Sequence, residues 1–91
     1  MANVSVGLDA IQSAQSVCRG AIQDLNGADQ RLNNRYREVG QHWRDKKYVQ
    51  LGGIVNDCSR ALKSPVDQLF ECLAKLSEIE KALIEYESTN L

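Results

Sequence analysis

Apolar side chains recur at alternating three- and four-residue steps along nearly the whole of this 91-residue chain, which is the period of one face of a helix and not of a strand. In the first half the series runs Leu8, Ile11, Gln15, Cys18, Ile22, Leu25, Asp29, Leu32, Tyr36, Val39 and Trp43. Only Gln15 and Asp29 break it, and Ala14 and Ala28 stand beside them. A second series runs Tyr48, Leu51, Val55, Cys58, Leu62, Pro65, Leu69, Cys72, Leu76, Ile79, Leu83 and Tyr86, apolar or aromatic at every position but Pro65.

The step from Trp43 to Tyr48 is five positions and fits neither spacing, so the connection belongs between the two series. The pattern predicts one helix over about 6–42, a turn at 43–45 and a second helix over about 46–87. Asp45 is placed to cap the free amides at the start of the second helix. Asn26-Gly27 and Ser64-Pro65 are both turn signals, and breaks there would divide the chain into four short helices over 8–25, 29–43, 46–63 and 65–88. The phase nevertheless passes through both sites unchanged. Two long helices are therefore expected, with a kink near Pro65, where the backbone lacks an N–H. Gly52-Gly53 weakens the second helix locally and leaves room for a close helix contact.

Two rods of about 40 residues, each roughly 60 Å long at 1.5 Å per residue, form a thin antiparallel hairpin. Val17, Ala21, Ile54, Ala61, Val66, Leu73 and Ala82 widen the apolar faces beyond a two-position seam, so one hairpin cannot bury them. The fold class expected is all-α: a helical hairpin that pairs with another into a four-helix bundle. Charge is segregated in the same sense. Between Arg31 and Lys47 six basic residues face two acidic ones, a net +4; from Asp67 to Leu91 six acidic residues face two lysines, a net −4. Antiparallel pairing of two hairpins would set each basic tip beside an acidic end.

Several functional classes find no support in these residues. The formal net charge is −1, against a dedicated nucleic-acid module. No apolar run approaches the roughly 20 residues of a membrane span, so no membrane insertion is expected. Met1-Ala-Asn-Val-Ser-Val-Gly has neither the basic start nor the apolar core of a signal peptide, and synthesis in the cytoplasm is expected. Cys18, Cys58 and Cys72 are odd in number and form no CxxC pair, which points to buried thiols on the helix seams and not to a disulfide framework or zinc site. His42 is the single histidine and falls at the turn, away from the cysteines. No catalytic, cofactor-binding or metal-ligating set emerges, so no enzyme and no cofactor is expected.

The residues singled out serve packing and partner recognition. Trp43 either packs across the helix junction or anchors a partner, and Tyr48 packs against the same junction. Leu69 and Leu76 lie in the middle of the second stripe. Tyr86 ends that stripe, either in the core or at the start of an exposed recognition segment.

With two helices of this length about a central tryptophan, the chain resembles the WXG-type small helical hairpins of bacterial type VII secretion. Trp43-Arg44-Asp45 stands in place of that group's Trp-x-Gly turn. The group's Tyr-x-x-x-Asp/Glu export signal maps onto Tyr86 to Asn90, with asparagine at the acidic position. The resemblance implies a secreted hairpin or a targeting partner, paired with itself or with the helical N-terminal region of a larger secreted protein that carries the signal for both. The alternative is a cytosolic helical adaptor or assembly subunit unrelated to secretion.

Overall fold

The computed structural model describes residues 2–89, which form two antiparallel helices, α1 (Ala2–His42) and α2 (Lys46–Thr89), in a rod of 69 × 15 × 13 Å. Asn26-Gly27 and Ser64-Pro65 both lie within continuous helix. At Pro65 one backbone hydrogen bond is missing, and packing of the adjacent buried Val66 against α1 holds the helix together across the gap. The acidic segment after Leu83 is also helical, as far as Thr89.

On α1 the inward residues follow the apolar series closely. Val4, Gln15 and Ile22 are buried, and the row turns onto buried Gly40 at its end, leaving Val39 and Trp43 at the surface. On α2 the seam differs from the apolar series in every second position. Tyr48, Val55, Leu62, Leu69, Leu76 and Leu83 do face α1, but the alternate inward positions are Gly52, Ser59, Val66, Leu73 and Glu80. The expected set at those steps, Cys58, Cys72, Ile79 and Tyr86, is exposed, and Leu51 and Pro65 are half-buried.

The reason is complementarity between the helices. Gln15, at 5% exposure, donates from Nε2 to Glu80 Oε1 at 3.4 Å, and Gln12 donates to Glu80 Oε2 at 3.3 Å. Ser59 Oγ donates to Asp29 Oδ1 at 2.5 Å, while Asn33 Nδ2 donates to Asp29 Oδ1 at 3.0 Å and lies 3.1 Å from Ser59 Oγ. The two polar interruptions of the first stripe thus meet polar residues of the second helix, and a buried amide unmatched there would be costly. This seam is the one α1 can satisfy, although the neighbouring row of α2 is more apolar.

The buried apolar set is correspondingly small: Val4, Ile22, Val55 and Val66. Cys58 and Cys72 are exposed and Cys18 is half-buried, so two of the three thiols stand outside the seam on which burial was expected.

Candidate interaction surface: the apex and the apolar flank

The turn is built from the residues that sequence reasoning places there. Asp45 Oδ1 accepts from the amides of Lys47 at 2.9 Å and Tyr48 at 3.2 Å, while its carbonyl accepts the first bond of α2 from Val49 N at 3.2 Å. The Trp43 indole N–H and those two amides hold the Asp45 carboxyl below its ordinary value of 3.8. No residue of the turn has positive φ, so glycine is not required at position 45 and an aspartate sits there without strain. At the end of α1, Arg44 Nε donates to Gly40 O at 2.8 Å and the guanidinium lies 5.9 Å from the centre of the Tyr48 ring.

Behind the turn lies an arrangement that sequence reasoning did not single out. Tyr36 of α1 and Tyr48 of α2 stack with ring centroids 4.4 Å apart and planes 3° from parallel. Each ring runs onto a glycine of the opposite helix. A Cβ at Gly52 would lie 2.9 Å from Tyr36 Cζ, and one at Gly40 would lie 2.6 Å from Tyr48 Cζ. The Tyr36 hydroxyl donates to the Tyr48 carbonyl at 3.3 Å, and a side-chain hydrogen bond with Tyr48, followed by burial, raises its pKa above the ordinary 10.0. Trp43 packs edge-on against Tyr48, at 6.5 Å and 68°, and is still 42% exposed. Of its two expected roles it therefore fills the first while keeping the surface needed for the second. The available signal was the matched pair of tyrosines and glycines, at positions 36, 40, 48 and 52.

The two flanks of the rod differ. On one, the polar crossings Gln12–Glu80 and Asn33–Ser59 are accompanied by a shallow groove lined by Asn26, Asn56, Arg60 and Lys63 as well as Leu25, Leu62 and Val66, and the row through Lys63 continues to exposed Phe70 and Ile84. On the other, a trough at the tip joins Leu32, Arg35, Tyr36 and Val39 of α1 to Leu51 and Val55 of α2. Successive heptads continue this second flank from Leu51 through Cys58, Pro65, Cys72, Ile79 and Tyr86 on α2. On α1 they continue it from Arg35 through Ala28, Ala21, Ala14 and Gly7, small and half-buried. Ile79 and Tyr86 are each 52% exposed, and Leu69 and Leu76, in the seam beside this flank, are half-buried. The row expected to form the hairpin's own seam is therefore an apolar flank that the described residues cover only in part, at Leu51 and Pro65.

Both ion pairs among the described residues, Arg35–Glu38 and Arg60–Asp57, lie within a single helix and are exposed, so they leave the separation of basic tip from acidic end intact. Among the described residues no group of three or more His, Cys, Asp or Glu could hold a metal ion, and no helix is long and apolar enough to cross a membrane. Asn90, the last position of the expected export signal, lies outside the described residues. The chain matches no protein-family model, no curated protein and no solved structure, so its reading rests on the apex and the apolar flank themselves.

Proposed function

We propose that this chain is a non-enzymatic interaction module that completes its core by laying its apolar flank against a second helical hairpin, giving a four-helix bundle. The observation that carries the reading is the row Leu51, Cys58, Pro65, Cys72, Ile79 and Tyr86, which keeps heptad spacing for the length of α2 yet leaves Leu51 and Pro65 only half-buried and the other four exposed. Sustained apolar periodicity on a face with no internal partner is the signature of a helix–helix interface.

Within that reading the chain acts in type VII secretion, as a substrate or as the targeting partner of a larger helical effector, without cofactor or nucleic acid. A hairpin with an exposed tryptophan at its apex and an exposed tyrosine near its C-terminal end supports this assignment. The solution mass by light scattering, alone and after mixing with proteins encoded beside it, tests the module. A dimer or a defined one-to-one complex is expected; a monomer in every mixture would overturn it. Export is tested separately by following the chain in culture medium with and without the secretion ATPase. Equal amounts in both would favour the cytosolic adaptor instead.

A further inference from the structure

The apolar flank has an internal symmetry. Its α2 row reads Leu51, Cys58, Pro65, Cys72, Ile79, and is the same in kind when read outward from Pro65 in either direction: a cysteine seven residues away, then a branched aliphatic residue fourteen away. From this we infer that the partner is a second copy of the chain, antiparallel, with a two-fold axis passing beside Pro65, so that Cys58 of each copy faces Cys72 of the other. The inference rests on the pairing reading above and adds the occupant and its register.

Three further features fall into place in that register. When two hairpins stack face to face about a two-fold axis perpendicular to the rods, each helix lies antiparallel on its own counterpart. On α2, Leu51 then meets Ile79, and Arg44 in the turn comes level with Tyr86, a cation near an exposed aromatic ring. On α1, the position level with Pro65 follows from the hairpin's own pairing, in which Asp29 bonds Ser59 and Gly7 lies against Leu83. That position is next to Leu25, so Ala21 of one copy faces Ala28 of the other, small against small, allowing close approach of the two α1 helices. The charges agree as well. Arg44, Lys46 and Lys47 at each tip lie alongside Glu85 and Glu87 of the other copy, whereas a parallel pair would set the basic tips against one another.

The cysteines make the register measurable in the full-length chain. Because Cys18 stands on α1 at the level of Cys72, the experiment starts from C18S, which removes that neighbour. Cys58 and Cys72 of one chain are fourteen residues apart on one helix, roughly 21 Å at 1.5 Å per residue, beyond the reach of a short bismaleimide. Treatment of C18S with such a reagent is expected to give a covalent dimer whose linked peptides join Cys58 to Cys72. C18S/C58S and C18S/C72S should each lose the product at least tenfold, and an equimolar mixture of the two should recover it. Circular dichroism of each variant verifies that helix content is unchanged. A dimer linked through like cysteines, or one that persists in either double variant, would overturn the register. If light scattering shows a dimer but no cysteine link forms, the register fails while the pairing reading stands. A chain that is monomeric alone and forms a one-to-one complex only with a neighbouring protein rules out the second copy; a monomer in every mixture rules out the pairing reading too.

Discussion

Tyr36 and Tyr48 stack face to face from opposite helices, each with its ring running onto a glycine of the other helix, Gly52 and Gly40 respectively. The arrangement fixes the relative height of α1 and α2 next to the turn. It also makes neighbouring glycines unequal, although in sequence they look alike.

Gly53 has no heavy atom within 4 Å of an added Cβ, so Gly53→Ala should stabilise the hairpin by roughly 0.5–1 kcal/mol through helix propensity alone. Gly52→Ala gains the same propensity but must displace the Tyr36 ring, and is expected to destabilise. Urea midpoints measured at low protein concentration separate the two. In a Tyr36→Ala background the sign at Gly52 should reverse, and failure to reverse would mean that the ring is not what excludes a side chain there.

The Asp45 cap should give a pH signature. Its carboxyl titrates lower in the folded chain than its ordinary 3.8, so its contribution is present above that value and is lost as pH falls through the lower, folded-state value. Asp45→Ala should therefore lower the urea midpoint near neutral pH, and the gap from the parent chain should close in strong acid. Asp45→Asn, which retains a capping oxygen, should fall between the two. A gap independent of pH would show that the charge contributes nothing.

Gln15 and Glu80 form a polar layer inside an otherwise apolar seam. Glu80→Ala leaves the buried Gln15 amide without its partner across the seam and is expected to cost about 1–3 kcal/mol. Replacing both with leucine removes the need for pairing, and the double variant should be as stable as the parent or more so. Losses that simply add, with the double variant as destabilised as the two single replacements together, would argue against coupling between these positions.

Leu69 and Leu76 are half-buried in the lone hairpin, so Leu→Ala at either site should cost about 1–2 kcal/mol, less than the 2–5 kcal/mol of a fully buried leucine. A partner covering the apolar flank would raise that loss. Urea unfolding at increasing protein concentration should therefore show the mutational effect growing as complex forms.

Much of this architecture is legible in the sequence, and the misreading is informative. The inward row of α1, the place of the turn and the Asp45 cap all follow from local pattern, because helix period and capping chemistry depend on residues close together in the chain. The seam of α2 does not. A single-helix reading chooses the most apolar row, through Cys58 and Cys72, whereas the hairpin chooses Gly52, Ser59 and Glu80, since Tyr36 needs space, Asp29 needs a hydroxyl donor and Gln15 needs an acceptor. Those requirements belong to the other helix and enter only once the two are aligned. The close helix contact expected at Gly52-Gly53 falls on Gly52 alone, and its occupant, Tyr36, cannot be read from α2 because it belongs to the other helix.

The apex also bears on the order in which the chain folds. Tyr36 and Tyr48 are only twelve residues apart, so bringing them together closes a short loop, and every later layer down the rod extends a contact already made. The Gly7–Leu83 contact at the far end joins residues 76 apart, but its entropy is largely spent by the time the zipper reaches it. Folding should start at the apex and unfolding at the open end, so amide exchange would be slowest near Tyr48 and fastest toward Ala2 and Thr89.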